Sequence, residues 1–471
     1  MNLAKAAFLL PLLLAPAAGI PFTHVVVDAN NPANPHCKAV GDLDGDGFPD
    51  IVVASSSGGG MHWYRWPSWT KTAIRASGSW TTDMQAADVD GDGDVDLVIP
   101  NASGVLWYRN PDWAEHTIGS QGANNHDVEV GDMNRDGRLD VVTRPKGGGS
   151  TNVWLQTNPT SWTRQVATTR TGEGTALGDI DNDGDLDLLH NGFWVENTNG
   201  AATAWSVHDI AAGWPADVGA VIADLNGDGR NDIVLGPSES SGKLSWYESA
   251  TPRTGPWTEH GIDSTVSYLH TFKAADMDLD GDLDLVTAEM HQSGDPDEVS
   301  VYRNGGNGLS WTQQVVATSG SHNVRVADID RDGDLDIVGT NWNESAPNSA
   351  VVDLWRNGLN PGDTLDSWTR HVVDASRPDR AIFVASGDLD GDGKKDIVSG
   401  AWWYRNPGSP GGAWTRAAIG SPLNNLAALH DFDGDGDLDI LGTQGAGSSS
   451  NHNFAWARNN GSGSFTVLTN I

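Results

Sequence analysis

Nine acidic loops of one pattern, D-x-[DN]-x-D-G-x-x-D, run along this chain of 471 residues, and each has the ligand set of a metal site. Positions 1, 3, 5 and 9 are Asp42, Asp44, Asp46 and Asp50 in loop 1 and Asp88, Asp90, Asp92 and Asp96 in loop 2. Loop 3 has Asp132, Asn134, Asp136 and Asp140, loop 4 has Asp179, Asp181, Asp183 and Asp187, and loop 5 has Asp224, Asn226, Asp228 and Asp232. Loop 6 has Asp276, Asp278, Asp280 and Asp284, and loop 7 has Asp328, Asp330, Asp332 and Asp336. Loops 8 and 9 have Asp388, Asp390, Asp392, Asp396 and Asp431, Asp433, Asp435, Asp439. Oxygen ligands gathered by a sharp turn at the glycine in position 6 suit a hard cation, and calcium is the natural occupant. An EF-hand is excluded, because position 12 is Val53, Ile99 or Thr143 and never the bidentate Glu that design requires. A single copy would read equally well as an acidic surface turn. Nine copies, with Asn replacing Asp only where an amide oxygen still ligates, favour structural calcium in every loop.

An apolar pair follows each closing carboxylate closely, as in Ile51-Val52 and Ile337-Val338, so the loop leads into a strand. Successive loops start 46, 44, 47, 45, 52, 52, 60 and 43 residues apart, the length of one four-stranded propeller blade. An aromatic signature recurs in the third segment (W-Y-R at Trp63, W-Y-R-N at Trp107 and Trp403), and Trp-Thr recurs in the fourth (Trp69, Trp162, Trp257, Trp311, Trp368, Trp414). Aromatic residues at fixed places in every repeat are read as packing between blades. The expected fold is all-β, a single propeller of about nine blades over residues 20–471. Pro21–Ala29 and Ser367–Ala375 both resemble an outer strand, as does Ser464–Ile471, so ten outer strands are available for nine loops and the closure of the ring is left open.

These loops and aromatic strands resemble the FG-GAP or VCBS-type calcium-loop repeats, found also in integrin alpha-subunit heads, fungal propeller lectins and related propeller lyases. The resemblance covers residues 22–471. It implies a calcium-stabilised propeller and leaves the activity open, because the family holds adhesins, lectins and enzymes.

The repeat also allows unlike residues to be compared at one structural level. Six residues before the loops stand His36, His126, Glu173, His270 and His322, near the start of the inner strands that line a propeller's axis. The second strand returns to the same face and ends near Arg144, His190, Glu289, His291, Asn341, Trp342, Trp402 and Gln444. A lone histidine is usually a hydrogen-bonded surface residue, but a shared register makes these converge. Converging imidazoles and carboxylates can hold one transition metal or move protons. Candidate catalytic groups are His270, His322, His291 and Glu289, then His126, Glu173, His190 and Arg144. Candidate ligand-binding groups are His36, Trp342, Asn341, Trp402 and Gln444.

Composition sets the outer limits. There are 63 acidic and 28 basic residues, a net charge of −35, which excludes nucleic acid as a natural partner. Over half of the acid lies in the nine loops, so the calcium-free chain should repel itself. The single cysteine, Cys37, permits no internal disulfide. Residues 1–19 carry Lys5, an apolar run and Ala15-Pro16-Ala17, the pattern of a secretory signal peptide, and no further long apolar run follows. The expectation is a protein secreted or held outside the cytoplasm, without a transmembrane segment. Three functions fit: glycan or polysaccharide binding through the His/Glu/Trp-rich face, a carbohydrate-active lyase or dehydratase using that face, and adhesion to a protein partner. Binding is placed first, because no catalytic motif has independent support.

Overall fold

The computed structural model describes residues 19–30, 33–122, 125–294, 296–342, 351–360, 372–376, 383–408, 412–445, 453–469 and 471. The expected leader and most of the segment Ser367–Ala375 lie outside them. Each loop turns at its position 6 glycine, which lies in the left-handed region, as at Gly47 (φ 95°) and Gly93 (φ 96°). The carboxylate at position 1 accepts from the backbone at positions 5 and 6, as Asp42 does from Asp46 N (3.1 Å) and Gly47 N (2.8 Å). The carboxylate at position 9 bonds in two directions. Asp284 accepts from Met277 N inside its own loop (3.0 Å) and from Asn304 N at the end of the third strand (2.8 Å). The backbone of the adjacent third strand therefore locks the loop, which is why position 9 is buried in every blade.

All nine expected blades are present as four-stranded antiparallel sheets. Blade 1 comprises Pro35–Gly41, Asp50–Ser55, Met61–Arg65 and Thr70–Arg75, and its second strand is buried throughout. The third-strand aromatics pack between blades as expected. Trp246 of blade 5 donates its indole N–H to Gly308 O of blade 6 (2.7 Å), and Trp154 of blade 3 lies over Gly119 of blade 2 so closely that a Cβ there would stand 2.0 Å from the ring. The asparagine ending W-Y-R-N clasps the preceding blade. Asn110 donates to Leu43 O (2.6 Å), Asn304 to Leu225 O (2.8 Å) and Asn357 to Met277 O (2.8 Å), in each case the carbonyl of loop position 2 one blade back.

The ring closes after the seventh blade. The N-terminal strand Thr23–Asp28 pairs with Val352–Arg356 as the outer strand of blade 7, and the inner strands of blades 7 and 1 pack together, with Lys38 Nζ donating to Thr340 O (3.2 Å) across the seam. The single nine-bladed ring is thereby corrected. The chain divides into one unit ending at Thr364, which holds the seven-bladed ring, and a second, Leu365–Ile471, which holds the other two blades. The second unit starts as the first does: Tyr404 and Arg416 bond Asp374 (3.3 and 2.6 Å) as Tyr64 and Lys71 bond Asp28 (2.8 and 2.7 Å). Among the described residues no helix is long and apolar enough to cross a membrane.

Candidate functional site on the axis of the ring

His36, His126 and His270 each occupy the unpaired residue of a β-bulge in the first strand of their blades, where pairing skips from Pro35 to Cys37, from Asn125 to Asp127 and from Leu269 to Thr271. A bulge re-aims the side chain it carries, here toward the axis. His322 immediately precedes the inner strand Asn323–Ala327 of blade 7. The four rings meet: His36 and His322 have centroids 4.2 Å apart, His270 and His322 4.2 Å, His126 and His270 5.4 Å. Glu173 of blade 4 completes the group, 3.2 Å from His270 Nε2 and 3.8 Å from His126 Nε2.

Hydrogen bonds behind the rings orient them. His126 Nδ1 stands 3.0 Å from Asp127 Oδ1 and His322 Nδ1 2.9 Å from Asn323 Oδ1, so in each ring Nδ1 donates outward and Nε2 is turned inward. His36 Nε2 and His322 Nε2 face each other at 3.0 Å. Burial, with the neighbouring histidines and Lys38, holds both His36 and His322 far below the usual imidazole range, so both are neutral. His126 goes the other way. Burial opposes its charge, but Glu173 and Asp127 raise its pKa to about 9. Glu173 is held well below the carboxylate range, because His126, His270 and Lys146 together outweigh its burial.

The cluster has the character of a metal site. Ligand atoms of His126, Glu173 and His270 all lie within 4.8 Å of one another and all three residues are buried. Both Glu173 oxygens and both His270 nitrogens lack a well-aligned hydrogen bond, as does His36 Nδ1, although charged groups stand near. Buried polar atoms without partners are costly unless something else satisfies them. Imidazole nitrogens with one carboxylate are the donor set of zinc, manganese, iron or cobalt. Acidic loops fit calcium on the same test. The carboxylates of Asp42, Asp44 and Asp50 converge within 4.8 Å, as do their counterparts in loops 2, 4 and 6, and burial raises Asp96 and Asp284 to about 7 and Asp187 to about 8.

Two cavities reach the cluster from opposite ends of the axis. One of about 540 Å³ is lined by His36, His126, His322, Trp342, Lys146 and Glu239, and another of about 560 Å³ by Glu173, His270, Asp83, Glu129, Lys273 and Arg325. Trp342 stacks on His36 (4.8 Å, 30°) and meets His291 edge-on (5.1 Å), which puts His291 behind the tryptophan.

The remaining candidates lie elsewhere or are committed to backbone. Arg144 is buried and donates to Gly172 O, Gly174 O, Thr171 O and Asn191 Oδ1 at 2.6–3.2 Å, which ties blade 3 to blade 4. His190 is buried against Gly174 O (3.3 Å) and Thr151 Oγ1 (3.5 Å). Glu289 accepts from Ser293 and Glu298 N, closing its own hairpin. Asn341 bonds Ser319 O (2.8 Å) and accepts from Trp342 N, so it positions the tryptophan. Trp402 and Gln444 belong to the second unit, where the ring lies against Arg416 and the amide bonds Phe454 O. Lys146 was not among the candidates. It reaches Glu173 (3.2 Å) and contacts Glu239, and the signal for it was its place two residues beyond Arg144 on the same strand exit.

The profile of the FG-GAP-like repeat matches residues 42–99, 88–143, 224–287, 276–339 and 388–442, together more than half of the chain. No curated protein matches it in sequence. Among solved structures it is similar to an Agrocybe aegerita lectin described as recognising non-reducing terminal N-acetylglucosamine (19% identity, 71% of this chain and 96% of that one, TM-score 0.46). It is also similar to BBS1N in complex with ARL6DN (14%, 72% and 96%, TM-score 0.48) and to the V. cholerae biofilm matrix protein Bap1 (12%, 91% and 88%, TM-score 0.35). Likenesses this distant carry no argument about a ligand.

Proposed function

The chain belongs to the FG-GAP-like repeat family, whose loops build a scaffold without prescribing an activity, and on that scaffold we propose that the ring binds carbohydrate over a single transition-metal centre on its axis. One observation carries the reading: His126, Glu173 and His270, from three different blades, turn ligand atoms to one buried point, with His36 and His322 from two further blades packed beside them at the floor of a pocket. His126, His270 and Glu173 would hold the ion, with His36 and His322 beside them. An ion held there supplies Lewis-acid polarisation of a bound oxygen. The indole of Trp342 offers a sugar its flat face, and Lys146, Glu239, Asn125 and Gln292 offer the donors and acceptors that hydroxyl groups need. Asp127 and Asn323 orient the inward nitrogens of His126 and His322. The same proposal places calcium in the nine loops and the protein outside the cytoplasm.

A second reading, elimination on a sugar, is favoured by one feature. His36 is neutral and lines the pocket, and with its Nε2–H donating to His322 Nε2 its Nδ1 keeps the lone pair that can accept a proton from a carbon next to a polarised oxygen.

The test is elemental analysis joined to calorimetry. About one zinc, manganese, iron or cobalt per chain, lost in His270→Ala with calcium retained, supports the centre, and loss of sugar binding in Trp342→Ala with metal retained supports the pocket. A protein that takes up calcium alone after incubation with all four metals refutes the centre.

A further inference from the structure

The nine loops are not alike, and their differences are matched elsewhere in the same repeats. Loops 2, 4, 6, 7 and 9 add a fifth carboxylate at position 7: Asp94, Asp185, Asp282, Asp334 and Asp437. Loops 3 and 5 do the reverse. They alone have asparagine at position 3, Asn134 and Asn226, and they alone have arginine at position 7, Arg138 and Arg230. Each guanidinium lies on its own loop's carboxylate at position 5, Arg138 on Asp136 and Arg230 on Asp228.

The third strand shows the complementary change. In W-Y-R-N the arginine reaches the carboxylate at position 3: Arg65 contacts Asp44, Arg405 contacts Asp390, and Arg303 stands 3.8 Å from Asp278. Blade 4 has Glu196 at that place and borrows Arg253, 2.7 Å from Asp181. Blades 3 and 5, whose loops have no carboxylate at position 3 to offset, carry Leu155 and Glu248 instead of the arginine. Asn226 donates to Glu248 (3.0 Å), so part of its amide is committed outward.

A second observation points to an ion in loops 4 and 7, both of them five-carboxylate loops. Oδ1 of Asp181 and of Asp330 lacks a hydrogen-bond partner although the side chains are only 2% and 5% exposed, while Oδ2 of each faces an arginine, Arg253 and Arg356. Asp181 lies with Asp179 and Asp187 in one converging group. Affinity in oxygen-ligand calcium sites follows the number of charged ligands, and loops 3 and 5 have the fewest, Asp132, Asp136 and Asp140 in one and Asp224, Asp228 and Asp232 in the other.

We infer that loops 3 and 5 are a separate class of low-affinity calcium sites, last to fill and first to empty, while the five-carboxylate loops stay loaded. This rests on the calcium reading of the loops. The two weak sites belong to the blades on either side of Glu173: blade 3 supplies His126 and Lys146, and blade 5 supplies Glu239. Partial calcium depletion therefore acts first on the walls of the axial site.

The experiment is equilibrium dialysis of the loaded protein against buffers of graded free calcium, counting bound calcium per chain by elemental analysis. The expected curve releases two ions at free calcium about tenfold or more above the level that empties the five-carboxylate loops. Asn134→Asp combined with Arg138→Asp should move one ion out of the weak class, and Asn226→Asp with Arg230→Asp should independently do the same. A single affinity class, or a weak class that keeps two ions in both double variants, overturns the inference. A chain that holds no calcium at the start overturns the calcium reading itself, a distinguishable result.

Discussion

Replacing Lys38 by methionine should stabilise the ring below neutral pH and do so progressively less as pH rises. Lys38 is fully buried at the seam between blades 1 and 7, and its ammonium donates only to two carbonyls, Thr340 O (3.2 Å) and His36 O (3.3 Å). Burial first, and the charge of Arg325 second, lower its pKa to about 7, against about 10.4 in an unfolded chain. A shift of that size corresponds to about 4–5 kcal/mol. Because the folded pKa is depressed, the unfolded chain binds more protons between pH 7 and 10.4. The wild type should therefore gain up to about 1.4 kcal/mol per pH unit across that window, and below pH 7 it bears the whole cost. Methionine removes the titration and keeps the apolar stem. It also gives up two hydrogen bonds of about 1 kcal/mol each, although Thr340 O still accepts from His322 N and Ser321. The variant should thus be about 2–3 kcal/mol more stable at pH 6 and slightly less stable than wild type at pH 10. Denaturant unfolding of both proteins at saturating calcium, at five pH values from 6 to 10, measures the difference. A difference that stays constant over that range would refute the assignment to this seam of a dry ammonium held by two carbonyls.

Three further perturbations test the scaffold. Asn304→Ala strips the clasp from Leu225 O and Leu283 O and should cost about 2–3 kcal/mol of stability by denaturant unfolding, since buried carbonyls lose their donor; a loss under 1 kcal/mol would make the clasp incidental. With calcium chelated, the melting temperature should fall from pH 5 to pH 8.5. Burial raises Asp96, Asp284 and Asp187 to about 7–8, and a carboxylate with a raised folded pKa stabilises below its unfolded value near 4 and loses that contribution as it ionises. Saturating calcium should flatten the profile, and a chelated protein equally stable at both pH values contradicts the reasoning. Arg144→Met should lower stability through the freed carbonyls of residues 171–174 yet leave axial metal and sugar binding unchanged wherever the protein is folded, because the guanidinium is committed to backbone; selective loss of ligand would return Arg144 to the site.

The sequence made the blades legible because each loop states its own geometry: position 9 must be an acid to accept both Met277 N and Asn304 N, and position 6 must be glycine to turn. The same regularity brought His36, His126, Glu173, His270 and His322 to one level, since residues equidistant from equivalent loops share a height on the axis. Two things were not written that way. Ring closure depends on which of several similar outer strands pairs with Val352–Arg356, and strand pairing across more than three hundred residues leaves no local trace. Side-chain commitment depends on neighbours from other blades. Arg144 and Lys146 leave the same strand two residues apart, yet one is spent on carbonyls of the next blade and the other reaches Glu173. The bulges that aim three of the histidines are equally silent, but the residue after the histidine is not. In His126-Asp127 and His322-Asn323 the following oxygen fixes Nδ1, so a histidine followed by an acid or amide at this level of the repeat predicts an inward Nε2. His270 is followed by Thr271, its Nδ1 lacks a partner, and Thr271→Asp should therefore supply the missing acceptor and tighten metal binding at the axis, measurable as a lower dissociation constant for zinc or cobalt. Unchanged affinity in that variant, with the fold intact, would show that His270 is not a ligand.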